Sequence, residues 1–208
     1  MKKKQRDILT ALALGAFAIC GVNEVAAATD YLAVNSDDAV PVATGTNSLA
    51  VGPESTAEAV NSIAIGNGTG VVNVATYGIA VGTNAKVSAS DNYSDTMSNS
   101  DKRKTSGQTS VAIGVNAETK WSGATAVGAG AKVNGLNASA FGNGANAVGE
   151  NSIAFGGASM SETYTYFDTI YNMNNAIAIG KEAYVGAGRG IAIGLKTKTT
   201  GIASTALG

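Results

Sequence analysis

The sequence predicts an all-β fold, a two-sided parallel β-roll (a β-solenoid) built from coils of about 14 residues. A five-residue unit of small residue, variable residue, alanine, large apolar residue and glycine occurs ten times, and six of the nine intervals between its glycines are 14 residues. Small and large side chains alternate along each unit, which is the pattern of a strand. With 27 glycines and 6% aromatic residues, the chain must build its core from small side chains.

The first 28 residues have the pattern of a secretory signal peptide, which we expect to form a helix. Basic residues from Lys2 to Arg6 precede an apolar stretch from Ile8 to Gly21, and small residues end the segment at Ala28. The apolar stretch is shorter than the roughly 20 residues that span a bilayer, which argues against a permanent anchor. Residues 29–46 are then a lead-in, and the roll is predicted over residues 47–208.

Each unit is predicted to be a short strand with one small-residue face and one apolar face. The residue directly before the glycine is always large and apolar. Alanine stands two residues before the glycine in every unit, at Ala50, Ala64, Ala80, Ala112, Ala126, Ala140, Ala154, Ala178, Ala192 and Ala206. Strands of an ordinary β-sandwich also alternate, but they do not keep one residue at a fixed offset through a regular period.

The second half of each coil predicts another strand, half-exposed, with polar residues between small ones. Ala131-Lys132-Val133 is an example, and asparagine and glycine at the corners tolerate the positive φ of tight turns. Two strands and two turns use the 14 residues of a coil. A three-sided hexapeptide β-helix would need about 18 residues per coil, so its period does not fit.

The two-sided coil also predicts an oligomer. Two short sheets packed back to back leave space only for small side chains, so the large residues must form a stripe on the outside. Burying a Val, Ile or Phe is worth roughly 1.5 to 3 kcal/mol, and soluble monomers do not expose such a stripe. We therefore predict that identical chains assemble around a symmetry axis, with an interface at Ile63, Ile65, Val111, Ile113, Ile153, Phe155, Ile177, Ile179, Ile191 and Ile193.

Three intervals depart from the period and are predicted to hold additional segments. The intervals of 16, 32 and 24 residues leave room for a two-residue bulge, an extra coil with an insertion, and an insertion of 10 residues. The insertion near 88–108 is either a solvated loop or a ligand contact that uses Lys102, Arg103 and Lys104. The insertion near 162–174 is aromatic and either contacts a ligand or packs on a neighbouring subunit, through Tyr164, Tyr166, Phe167 and Tyr171.

Trp121 follows Lys120 in a polar half-coil, where we expect it to offer a smaller contact platform. Recognition would also use the polar strand face, at positions such as Lys132.

Composition argues against catalysis and against binding of polyanions by the whole chain. There is no histidine and one cysteine, Cys20, so a Cys/His zinc site cannot form, and we expect no metal and no cofactor. Glycine-rich segments lack the spacing of a phosphate-binding loop. The net charge of −1 and the pI near 5.4 give no global basic field, so we expect no nucleic-acid partner.

The unit Asn61-Ser62-Ile63-Ala64-Ile65-Gly66, repeated at residues 109–114 and 151–156, resembles the head repeat of trimeric autotransporter adhesins, the YadA-like family. The resemblance spans residues 47–208 and implies a left-handed parallel β-roll that forms a homotrimer. It also implies export across the inner membrane and display at the outer membrane surface of a Gram-negative bacterium. The family's coiled-coil stalk, neck and C-terminal membrane anchor are absent from this chain, which we interpret as the N-terminal part of a longer protein.

The sequence therefore predicts an exported, non-catalytic adhesin head. It would attach cells to host extracellular matrix or to other cells through a repetitive trimeric surface. Two alternatives remain open: a structural spacer or surface-layer element without a ligand of its own, and a β-helical enzyme that acts on polysaccharide.

Overall fold

The computed structural model describes residues 32–34, 40–91, 98–160, 163–166, 169–172 and 174–208; the predicted signal peptide, residues 1–28, lies outside them. These residues form two parallel sheets and a small hairpin. Sheet A contains eleven strands: β1 Leu32–Val34, β3 Leu49–Val51, β5 Ile63–Ile65, β7 Ile79–Val81, β9 Val111–Ile113, β11 Thr125–Val127, β13 Ser139–Phe141, β15 Ile153–Phe155, β19 Ile177–Ile179, β21 Ile191–Ile193 and β23 Thr205–Leu207. Sheet B contains ten: β2 Val42–Ala43, β4 Thr56–Ala57, β6 Gly70–Val71, β8 Lys86–Val87, β10 Glu118–Thr119, β12 Lys132–Val133, β14 Asn146–Ala147, β16 Ser159–Met160, β20 Tyr184–Val185 and β22 Lys198–Thr199. The hairpin strands are β17 Thr163–Tyr166 and β18 Thr169–Asn172, and the helix α1 spans Asn99–Thr105.

The chain alternates between the two sheets, which confirms a parallel β-solenoid with coils of about 14 residues. Each strand pairs in parallel with the equivalent strand of the next coil, about 4.8 Å away. The alanines of sheet A are in register, for example Ala126 with Ala140. Strands β1 and β2 pair with β3 and β4, so the two sheets begin upstream of residue 47.

The 32-residue interval does not contain the extra coil that the sequence analysis allowed for. Ile79 of β7 pairs directly with Val111 of β9, and Lys86 of β8 pairs with Glu118 of β10. The prediction of an extra coil was therefore wrong. Spacing alone cannot separate a second coil from a longer excursion, whereas the strand register can.

The interior of the roll is filled by small side chains, as predicted. Ala126 and Ala140 of sheet A are fully buried, and sheet B contributes side chains such as Val87 and Val133 to the same core. Met160 is larger than its neighbours in this core and is 3% exposed. It ends β16, just before the second insertion. Because the interior has room for alanine and valine, the larger residues of sheet A point outwards.

A column of glycines forms the corner where each coil passes from sheet A to sheet B. Gly114 has φ +129°, and a Cβ atom there would lie 2.6 Å from the carbonyl oxygen of Gly128 in the next coil. Gly66 makes the same close approach to Gly82. Glycine is thus required twice at these positions, by the positive φ and by the distance between coils.

Other turn positions take the left-handed conformation with asparagine. Asn61, Asn116 and Asn151 all have φ near +55°, a conformation that asparagine tolerates better than most residues. Asn47 and Asn61 stand one above the other, and the Asn47 Nδ2 donates a 3.1 Å hydrogen bond to the Asn61 Oδ1. These side chains therefore join neighbouring coils as well as closing the turns.

The bulge and both insertions leave the roll at the opposite corner, between a sheet B strand and the following sheet A strand. The bulge lies between β6 and β7, the first insertion between β8 and β9, and the second between β16 and β19. The glycine corner has four residues in eight of the coils from β3 to β22 and three between β15 and β16, whereas seven residues separate β1 from β2. The close stacking of glycines keeps that corner short from β3 onwards, whereas the opposite corner lengthens. The insertions therefore extend from one edge of the roll.

Candidate functional site

The outer face of sheet A is apolar, and it is the most extended candidate surface of the molecule. All ten residues predicted to form the oligomer interface lie on it, and none of them is buried in the chain. Ile113 is 40% exposed, Ile153 41%, Phe155 53% and Ile193 38%. Ile65 and the remaining members are half-buried because the coils above and below cover them in part.

The apolar face has one continuous column and one interrupted column. The third residue of every sheet A strand from β3 to β23 is Val, Ile, Phe or Leu. The first residue of the strand is polar at Thr125, Ser139 and Thr205. Phe141 and Phe155 lie in the continuous column with ring centroids 6.1 Å apart. This column is long enough to line an interface along the whole roll.

The outer face of sheet B is polar. The exposed Lys86 and Lys132 flank Glu118 in register, so charges of opposite sign alternate between neighbouring coils. Further along the sheet, the Nζ of Lys198 lies 5.4 Å from the centre of the Tyr184 ring. This face can form hydrogen bonds and charge contacts with a ligand, and its strands carry three lysines and one glutamate on the outside.

The first insertion contains the helix α1, which the sequence analysis did not predict. Ser98 is the N-cap, and its hydroxyl accepts a 3.3 Å hydrogen bond from the backbone N–H of Asp101. The helix carries Lys102, Arg103 and Lys104 in its last turn. Lys102 is half-buried, and the other two are exposed. The structure therefore brings the three predicted contact residues together on one short, capped element.

Two backbone donors bond to the last two residues of this helix, and a third ties the segment after the helix to the roll. The N–H of Ser90 donates to the Thr105 carbonyl at 2.7 Å, and the N–H of Ser122 donates to the Lys104 carbonyl at 2.9 Å. The N–H of Gln108 donates to the Ser122 hydroxyl at 3.1 Å. Thr105, the last residue of the helix, is buried. The basic residues are thus presented by a segment fixed to the rigid solenoid.

A groove separates α1 from the coil before it. Lys102 and Arg103 line its helical side, together with Asn99, and Val74 and Thr76 line the other side. Sequence reasoning missed the contribution of Val74, Thr76 and Asn99. The signal for it was the 16-residue interval directly before the 32-residue one, since it placed additional residues at the same corner of two adjacent coils.

Trp121 lies near this site but is half-buried rather than exposed. Its carbonyl accepts a 2.8 Å hydrogen bond from the Ser110 hydroxyl. Lys120, beside it, forms a 3.2 Å ion pair with Asp91 at the start of the insertion. The indole therefore offers less contact area than the sequence analysis expected, and the Lys120 charge is already partnered.

The second insertion includes the antiparallel hairpin of β17 and β18. Tyr164 pairs with Tyr171 across it, and Tyr166 pairs with Thr169. Phe167 lies outside the described residues. The backbone register thus brings two of the four predicted aromatic residues opposite one another.

Within the described ranges, no cluster of three or more His, Cys, Asp or Glu residues is placed to bind a metal ion. The same part of the chain contains no helix that is long and apolar enough to cross a membrane.

Comparison with known proteins identifies the repeat. A family model described as "YadA head domain repeat (2 copies)" matches residues 43–69, 106–131, 122–145, 134–159 and 187–208. The crystal structure of the collagen-binding domain of the Yersinia adhesin YadA is 17% identical to this chain, covers 86% of it, is itself covered to 80%, and superposes with a TM-score of 0.53. At this identity the likeness shows a shared fold. No match was found among the curated proteins.

The matched segments carry the features that build the roll, namely the buried alanines, the glycine column and the outward apolar residues. The solved YadA domain has the same overall architecture. The roll formed by this chain is a YadA-like head domain.

Proposed function

We propose that this chain is the head of an exported adhesin, which forms a homotrimer and attaches a Gram-negative cell to extracellular matrix or to other cells without catalysis. The observation that carries the proposal is the uninterrupted apolar column on the outside of sheet A, in a chain with YadA head repeats. The collagen-binding activity named for the Yersinia YadA domain supports a matrix protein as the class of ligand.

The oligomer follows from the energy of the exposed column. Burying one Val, Ile or Phe side chain is worth roughly 1.5 to 3 kcal/mol when it moves from full exposure to full burial. Side chains such as Ile113, Phe155 and Ile193 are 38–53% exposed, so each gains about 1 kcal/mol in an interface. The half-buried members gain less each, and the gains of both columns summed over ten coils offset the cost of association, which is of order 4 to 15 kcal/mol.

The apolar face and the proposed ligand surface lie on different parts of the coil. Sheet A faces the symmetry axis in the proposed trimer, which leaves sheet B and the edge that carries the insertions outside. Three copies of each surface feature would then act together, so that weak single contacts sum to useful avidity. The export signal that we predict at residues 1–28 and the outer-membrane location belong to this proposal.

Sedimentation of the purified chain, with residues 1–28 removed, tests the assembly. We expect a trimer at micromolar concentration, and weaker association for Ile179→Asp on sheet A. Ser159→Asp, on the outer face of sheet B, is the matched control and should sediment like the native protein. A folded native monomer, or equal effects of the two substitutions, would contradict the proposed interface.

Binding of the native protein to immobilised collagen and fibronectin, and to cultured cells, tests the adhesive function. We expect saturable binding that weakens when the Ile179→Asp variant dissociates, because avidity is lost. The regular stacking of ten short coils also suits a rigid spacer. A trimer that stays inert on all these surfaces would favour the spacer and overturn the adhesive function.

A further inference from the structure

We infer that the groove beside α1 binds a linear sulfated polysaccharide. Lys102 and Arg103 line the groove, and Lys104 lies in the same helical turn; these three residues are the basic cluster. This inference rests on the proposed function, since it names a class of ligand that an exposed adhesin head would meet. The groove lies on the insertion edge of the roll and not on the apolar face of sheet A.

The basic cluster lacks acidic partners among the described residues. Ion pairs there join Lys120 to Asp91 and Lys196 to Glu182, and neither includes a residue of the cluster. The carboxylate of Asp101, directly before the cluster, accepts a 2.6 Å hydrogen bond from the Ser98 hydroxyl and forms no ion pair with the cluster. The three adjacent cations repel one another, and a bound polyanion relieves their repulsion. The contrast with Lys120 is informative, because that lysine lies on the same side of the roll and is neutralised within the chain.

The cluster is also held in place. Hydrogen bonds from Ser90 and Ser122 fix the carbonyls of Thr105 and Lys104, and Ser98 caps the start of the helix. A surface loop would lose conformational entropy when it bound a ligand, whereas this helix is already ordered, so less of the binding energy is spent on immobilisation.

The neutral residues of the groove favour a sugar chain over a nucleic acid. Asn99, Thr76 and Gln108 line it beside the cations, and their side chains can donate hydrogen bonds to sugar hydroxyls and accept hydrogen bonds from them. Non-specific binding of single-stranded nucleic acid relies on aromatic side chains that stack on bases, and no aromatic residue lines this groove. Lys and Arg supply charge-assisted hydrogen bonds to sulfate groups.

Heparin is the probe that tests the inference, with the native protein at 0.15 M salt. We expect saturable binding that weakens at least tenfold in the triple variant Lys102→Gln, Arg103→Gln, Lys104→Gln. Glutamine keeps a helix propensity similar to those of lysine and arginine, and an unchanged melting temperature would confirm that the variant folds. Raising the salt concentration should weaken binding to the native protein more steeply than binding to the variant.

The matched control removes the same charge at a distance from the groove. Lys181→Gln, Arg189→Gln and Lys196→Gln together should leave heparin binding within about twofold of the native value, since these residues lie in the turns between β19 and β22. Equal losses in both triple variants, or no heparin binding by the native protein, would overturn the inference. So would tighter binding of single-stranded DNA than of heparin at the same salt concentration.

Hyaluronan carries carboxylates and no sulfate, so it distinguishes recognition of sulfate from recognition of carboxylate. It should bind at least tenfold more weakly than heparin, and equal binding would refute the assignment to sulfate. Collagen binding and sedimentation of the same preparations separate a failure of this inference from a failure of the proposed function. A trimer that binds collagen but not heparin would refute this inference and leave the proposed function intact.

Discussion

Substitution of a single stacked glycine is the sharpest test of how the coils pack. Gly114 lies in the glycine column with φ +129°, and a Cβ atom there would meet the carbonyl oxygen of Gly128 at 2.6 Å. Gly130 also has positive φ, +66°, but a Cβ atom there has no neighbour within 4 Å. Gly114→Ala and Gly130→Ala therefore make the same chemical change, one with a steric conflict between coils and one without.

The expected loss of stability differs for the two variants. At Gly130 the left-handed conformation costs alanine about 1–2 kcal/mol, and the reduced entropy of the unfolded chain returns about 0.4–1 kcal/mol. At Gly114 the less accessible φ costs of order 1–3 kcal/mol. Relief of the contact must also stretch the bonds from the Gly128 and Gly130 N–H groups to the Ile113 and Val115 carbonyls, both 2.8 Å. Each such bond contributes about 0.5–1.5 kcal/mol.

We therefore expect Gly114→Ala to reduce the free energy of unfolding by about 1–5.6 kcal/mol, which is the conformational strain and the two weakened bonds less the same return from the unfolded chain. The loss at Gly130→Ala should be about 0–1.6 kcal/mol. Urea unfolding at one fixed protein concentration measures both, because the stability of an oligomer depends on concentration. Equal losses, or a larger loss at Gly130, would refute the argument that glycine is needed here for the approach of the coils.

Three further predictions concern the core and α1. Ala126→Leu should destabilise the roll by about 1–3 kcal/mol or more through overpacking, whereas Lys132→Ala should change the melting temperature little; equal melting temperatures would contradict the assignment of faces. Thr119 is fully buried between Val87 and Val133, and its hydroxyl has no partner within the described residues. Thr119→Val should therefore raise the urea midpoint by the equivalent of about 1–3 kcal/mol. A lower midpoint would contradict the cost assigned to the unpaired hydroxyl. Ser98→Ala should destabilise α1 locally by about 1 kcal/mol, measured as faster hydrogen exchange of its amides with unchanged exchange in sheet A.

The repeat made most of the solenoid predictable, because every coil solves the same packing problem. Alanine at a fixed offset indicated the buried face, and the large residue beside it indicated the exposed one, as Ala64 and Ile65 illustrate. The period also gave the parallel pairing of equivalent strands. These features depend on local alternation and on stacking of identical units, and both follow directly from the order of residues in the chain.

The candidate sites were less predictable, because they lie where the period fails. Lys102, Arg103 and Lys104 drew attention by their charge, but nothing in their spacing predicted that a helix would present them. Val74 is distant from them in sequence, and it reaches the same groove only because both segments leave the roll at one corner. The length of an interval gives the number of added residues, but it does not show where in the fold those residues lie.

The sequence by itself determined the two-sided coil, the small-residue core and the apolar outer column, since each follows from the side-chain alternation within a repeated unit. Only the tertiary structure decided that the insertions emerge from one edge and that α1 faces the preceding coil. It also decided that the glycines stack directly on one another. Those features depend on contacts between coils, and such contacts bring together residues that the order of the chain keeps apart.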